Sequence, residues 1–198
     1  MSDPGAARAS LAAALEEAAA AGDLARAREL IAAGALLTPD ALCFAIVSGV
    51  NDLVETLLSG GVDANAPDRR GIAPIFFACA AGHPALPAFL ADPDHTDIRA
   101  AGWPAHSPGF GHGEIVWTLV AHGAAVSARH APDARRTASG TTALMVAAAF
   151  GHVAALDVLI ARGANPRDTD YAGRNARDWA ERFGQKPAME RLRQFARK

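Results

Sequence analysis

Sulfur chemistry has little to work with in this sequence. It has two cysteines, Cys43 and Cys79, in separate apolar stretches and with no CxxC spacing. At 198 residues the chain is long enough to bury a core without staples. The thiols are therefore expected as buried, unpaired side chains of a reducing compartment. A dominant charge is missing too. Nineteen basic and 21 acidic residues leave a formal charge of -2, which excludes a general pull toward nucleic acid or anionic membrane. Lysine is nearly absent, since only Lys186 and Lys198 accompany the arginines. In an alanine-rich chain that bias suggests a GC-rich, bacterial coding sequence.

Long apolar runs are scarce. Glu16 and Glu17 interrupt the alanine-rich start, so no secretion signal is expected. Windows 71–91 and 137–156 come nearest to a membrane span. Pro74, Pro84 and Pro87 break the first, and both contain a Gly-His pair where a turn would fall. These features imply a cytoplasmic protein with no membrane partner.

Catalytic signatures are lacking as well. There is no GxSxG, HExxH, phosphate-binding loop or paired-carboxylate pattern. The stretch DPDHTDIRAAGW begins like a calcium loop at Asp92, Asp94 and Thr96, but Asp97 replaces the sixth-position glycine and Trp103 the closing glutamate. The glycine-rich run 109–113 follows no predicted strand. No enzyme activity, cofactor or metal is expected.

What the sequence has instead is a repeat. FGHVAALDVLIARGANP, starting at Phe150, has counterparts at 21–35 (AGDLARARELIAAGA), 48–65 (SGVNDLVETLLSGGVDAN) and 110–128 (FGHGEIVWTLVAHGAAVSA). Each runs from a glycine through apolar residues at helical spacing to a leucine-like pair and a closing glycine. The pairs are Leu30-Ile31, Leu57-Leu58, Leu119-Val120 and Leu159-Ile160, closed by Gly34, Gly61, Gly123 and Gly163. A weaker copy from Ala81 keeps Phe89-Leu90 and has Asp94 in place of the glycine. Upstream of the turn glycines lies a second short helix of small apolar residues: DALCFAIVSG, APIFFACAAG, TALMVAAAFG and NARDWAERFG.

The turn glycines Gly49 and Gly82 are 33 residues apart, as are Gly151 and Gly184. A unit of turn, helix, tight turn and helix at that period resembles the ankyrin repeat. The resemblance spans nearly the whole chain. It implies an all-α ankyrin-repeat solenoid of helix-turn-helix units joined by projecting β-turn fingers, forming one domain over 1–198. The units expected are an N-terminal cap at 6–36, repeats at 37–66, 67–98, 99–131 (irregular) and 132–168, and a C-terminal cap at 169–198. Alanines such as Ala45, Ala78, Ala147 and Ala148 would let the paired helices approach, and each leucine pair would bury against the next unit.

Three departures stand out. The first finger is short. The finger within 126–140 carries about seven extra residues by comparison with its neighbours. Pro108 and Gly109 fall where the irregular unit's first helix should run, so a distorted or missing helix is expected there.

Histidines at the repeated Gly-His turns, His83, His112 and His152, are expected to shape those turns. So is His106, which falls near the motif histidine. Convergence of His95, His106 and His112 would instead make segment 92–112 a metal or small-ligand sensor, the alternative to protein binding. No tight ligand spacing supports it.

The resemblance implies a partner protein bound on the concave side made of fingers and first helices, by a monomer. The candidate contacts are an apolar floor of Phe44, Phe77, Trp103, Phe110 and Phe150, rimmed by Asp68, Arg69, Arg70, Arg129, His130, Arg135, Arg136 and Tyr171. Aromatic and arginine side chains dominate such interfaces. An arginine-rich long finger would suit an acidic patch on the partner. The same arginines as a nucleic-acid footprint are the weaker reading, given the balanced charge.

Overall fold

The computed structural model describes residues 4–92, 96, 112–130 and 140–196. Among these, helices follow in the order α1 (Pro4–Ala21), α2 (Leu24–Ala32), α3 (Pro39–Ser48), α4 (Asn51–Ser59), α5 (Pro74–Cys79), α6 (Leu86–Ala91) and α7 (His112–Ala121). A two-stranded ribbon, β1 (Arg129–His130) and β2 (Thr141–Thr142), comes next. The chain continues with α8 (Ala143–Phe150), α9 (Val153–Ala161), α10 (Ala176–Arg182) and α11 (Lys186–Ala196).

Local chemistry sets the helix ends. Thr38 caps α3, its hydroxyl accepting from Ala41 N–H at 3.1 Å, and Pro39 supplies the first helical residue. Thr142 and Asn175 cap α8 and α10 in the same way. α2, α4, α7 and α9 end alike, with an N–H reaching back to the carbonyl of the buried leucine. These bonds run from Ala35 to Leu30, Val62 to Leu57, Ala124 to Leu119 and Ala164 to Leu159, at 2.9–3.2 Å.

The helices stack in two rows. α1, α3, α5, α8 and α10 form the inner row, each packed on the next, while α2, α4, α7, α9 and α11 back them as the outer row. Ala45, Ala78, Ala147 and Ala180 are fully buried between inner helices, so the backbones approach closely. Leu57, Leu119 and Leu159 are also fully buried, each worth about 1.5–3 kcal/mol by removal from water. One unit alone could not hide this face, and stability comes from the stack.

The unit boundaries differ from those expected at one place. α6, which the sequence assigns as the second helix of unit 67–98, does not join the outer row. α7 takes that position instead, packed on α5 and flanked by α4 and α9. Polar bonds fix this neighbourhood. Thr118 Oγ1 donates to Asn51 Oδ1 at 2.9 Å, and Asn65 bridges to the Gly123 carbonyl (2.9 Å) and the Ala125 N–H (2.8 Å). The described helices therefore make five inner–outer pairs, with the segment carrying α6 inserted inside the third. The reason is packing quality. α7 brings Ile115, Val116 and Leu119 and a closing glycine, whereas Pro84 and Pro87 interrupt the alternative. The first helix expected in unit 99–131 lies outside the described residues.

Cys43 and Cys79 are free and buried, and burial pushes both thiols up, so neither is a ready nucleophile. Among the described residues no helix is long and apolar enough to cross a membrane.

Candidate partner-binding surface

The finger tips are built around a buried carboxylate. Asp68 Oδ1 accepts from the N–H groups of Arg70 (2.9 Å) and Ile72 (3.0 Å), and Oδ2 from Arg70 Nε at 2.7 Å. One hundred and two residues on, Asp170 does the same for Ala172 N–H, Arg174 N–H and Arg174 Nε at 2.8–3.0 Å. Each aspartate also closes its turn through backbone bonds, Asp68 N–H to Ile72 O and Asp170 N–H to Arg174 O. Asp68 is thus a turn-forming residue, 5% exposed, and not the rim contact expected of it.

His130 holds the equivalent place in the long finger. It pairs opposite Thr141 in the ribbon and is buried with its ring edge-on to Phe76 at 5.8 Å. Burial lowers its pKa, and Asp68 partly offsets this. A neutral ring is the consequence. His130 therefore also leaves the contact surface.

The arginines are engaged within the chain. Arg69 spans two carboxylates, Asp40 Oδ1 at 2.8 Å and Glu16 Oε2 at 2.6 Å, tying the second finger to α1 and α3. Arg70 adds a cation–π contact, 5.3 Å from the centre of the Phe77 ring. Arg129 Nη1 donates to the carbonyls of Gly140 (3.0 Å) and Thr169 (2.8 Å), joining neighbouring fingers. Tyr171 stands at the last tip, 63% exposed.

The floor residues divide. Phe77 and Phe150 are buried at 3% and 5% exposure, Phe150 against the rings of His83 and Phe89, so neither is an open floor residue in the free chain. Phe44 on α3 is half-buried, and beside it Val47 is 40% exposed. Trp103, Phe110, Arg135 and Arg136 lie outside the described residues, as do His95 and His106 of the sensor reading. His112 is buried at the start of α7. Burial, and after it the electrostatic effect of His112 and then His83, pushes the pKa of His152 down to about 4. His83 Nδ1 accepts from Ala85 N–H at 3.0 Å, a turn-shaping bond. Among the described residues no group of His, Cys, Asp and Glu side chains is arranged to hold a metal.

Three exposed apolar residues escape the sequence reading. Leu36 (64% exposed) lies on the short first connection, Val47 on α3, and Trp117 (51%) on outer helix α7, with the Arg162 guanidinium 5.4 Å from its ring centre. Val47 was findable, because it follows Phe44 by three positions and so shares its helical face.

Residues 105–196, a little under half of the chain, match the family model for ankyrin repeats (3 copies). No curated protein matches the chain. With the two helical rows and projecting turns described above, the match makes this fold an all-α ankyrin solenoid. Ankyrin repeats are generally protein–protein interaction modules.

Proposed function

We propose that the protein is a non-enzymatic, cytoplasmic scaffold that binds one partner protein as a monomer, through the inner helices and finger tips of its N-terminal half. The observation that carries this is Val47, exposed on α3 with the half-buried Phe44 beside it, next to finger tips fixed by buried carboxylates. A rigid, pre-formed face loses little entropy on binding. Occlusion of a toxin or enzyme surface, as an inhibitor or immunity protein would do, needs nothing beyond such a face.

Affinity capture from the native lysate tests this, comparing wild type with Val47→Arg and with Arg135→Glu/Arg136→Glu, each shown to melt like wild type. One protein enriched by wild type and lost with Val47→Arg is expected. Loss with the double arginine variant as well would assign the long finger to the same interface. No enriched protein, or retention by every variant, refutes the reading.

A further inference from the structure

The inner face is open at one end and filled at the other. Counting back from the turn glycines Gly49, Gly151 and Gly184, Val47 and Ser48 of α3 correspond to Ala149 and Phe150 of α8 and to Arg182 of α10 and its C-cap Phe183. Ser48 is half-buried where Phe150 and Phe183 are at 5% and 9%, and Val47 is 40% exposed where Ala149 is buried and Arg182 is exposed; every residue of α8 is buried. The cover comes from the inserted segment. Phe89 of α6, itself fully buried, sets its ring 5.2 Å from Phe150, 5.5 Å from Trp179 and 5.7 Å from Phe183. Leu86 and Leu90, at spacings of three and one from Phe89, are buried with it.

Two features show that this occupant fits imperfectly. Among the described residues the buried indole Nε1 of Trp179 has no hydrogen-bond partner, which leaves a donor unsatisfied. The helix α6 is also weak on its own. It has six residues, no side-chain cap and Pro87 in its first turn, and helices that short are marginal without tertiary contacts. The chain reaches it through Ala81, at φ 48, a left-handed conformation that disfavours an L-residue.

We propose that the inner face of α8 and α10 is a second recognition groove, which α6 fills in the free protein. Its external ligand is a protein segment with an aromatic anchor, aliphatic neighbours one helical turn away, and an acceptor for the Trp179 indole N–H. This rests on the protein-binding reading above and extends it. The open α3 end engages first, and the covered end is won by exchange with α6. The tether gives α6 a high local concentration, so only a ligand that also satisfies the indole, or is held by the α3 end, displaces it.

The test uses the full chain with Trp103→Phe and Trp117→Phe, leaving Trp179 as the one tryptophan, excited apart from Tyr171, and the synthetic peptide GHPALPAFLAD (residues 82–92). In this background Phe89→Ala should red-shift Trp179 emission, and the peptide should reverse the shift. The peptide with alanine in place of its phenylalanine should bind at least about tenfold more weakly. The chain retaining Phe89 should need at least about tenfold more peptide than the variant. Phe89→Leu, which keeps apolar bulk and removes the ring, serves if Phe89→Ala does not fold. A folded variant with unshifted emission, or equal peptide affinity with and without Phe89, overturns the proposal. So does a wild-type dimer formed by exchanging α6, which would assign the groove to a second copy. Peptide binding without any captured lysate protein leaves the groove standing and removes the scaffold reading. Capture that depends on Val47, with no peptide effect, does the reverse.

Discussion

Replacing Gly82 by alanine should cost the stack far more than the same change at Gly163, although both glycines sit at positive φ (+68° and +95°). A left-handed alanine costs about 1–2 kcal/mol, and the stiffer unfolded chain returns about 0.4–1 kcal/mol. Both variants therefore start from a net loss near 1 kcal/mol. The surroundings then separate them. A Cβ at Gly163 would meet nothing within 4 Å, whereas at Gly82 it would lie 2.9 Å from the carbonyl oxygen and 3.1 Å from the Cα of Val47. Those are backbone atoms of α3, and they can yield only if α3 and α5 separate. Overpacking of that kind costs about 1–3 kcal/mol, which brings Gly82→Ala to a loss of about 2–4 kcal/mol. Urea unfolding followed by far-UV circular dichroism measures both, with an unchanged slope showing that the unfolded state is the same. Equal midpoints for the two variants would refute the close approach of α3 and α5.

Leu159→Ala should destabilise by about 2–4 kcal/mol, because Leu159 is fully buried between units; a urea midpoint within about 0.5 kcal/mol of wild type would show that it does not pack there. Asp170→Ala should cost about 1–2 kcal/mol by removing the acceptor of two part-buried N–H groups, and thermal melting unchanged from wild type would remove the carboxylate's turn-forming role. The pKa of His152 falls from 6.5 unfolded to about 4 folded, mainly through burial, with the charges of His112 and His83 adding and a bond to the Ala80 carbonyl opposing. The unfolded chain thus binds the extra proton between those values, so this stability is intact above pH 6.5 and lost as pH falls toward 4, by at most about 3 kcal/mol. In His152→Gln the fall should be shallower over that window, and an unchanged slope in urea titrations at stepped pH would assign the effect elsewhere.

Four helices of the outer row, α2, α4, α7 and α9, were legible because each carries the same local message, a leucine-like pair followed by glycine, and that message is short-range. The helix slot beside α5 was not. Two segments, 83–91 and 112–121, both read as second helices, and the choice between them depends on how Thr118 meets Asn51 and how Asn65 meets Ala125, contacts 60 or more residues apart. The rows of phenylalanine were found, but their exposure was not, since burial of Phe150 depends on Phe89 folding back across the inner face. Asp68 and His130 mislead for a related reason. Polar residues at a finger tip read as solvent-facing unless their backbone partners are known, and Asp68 is consumed by the turn it forms.

The near-absence of lysine acquires a physical sense from these contacts. Arg69 joins two carboxylates, Arg129 two carbonyls, and Arg70 and Arg174 each pair with an aspartate while lying over an aromatic ring. Each arrangement uses the planar, forked guanidinium, and an ammonium could make one part of it at a time. Lysine at these positions would keep the charge and lose the bridge, loosening a finger from its neighbour. The same engagement shapes recognition. With these guanidiniums held by the chain's own acceptors, contact made through the exposed apolar residues Leu36 and Val47 should respond weakly to salt. An acidic partner patch would have to be met by the long finger's Arg135 and Arg136, and a steep salt dependence of capture would place the contact on them.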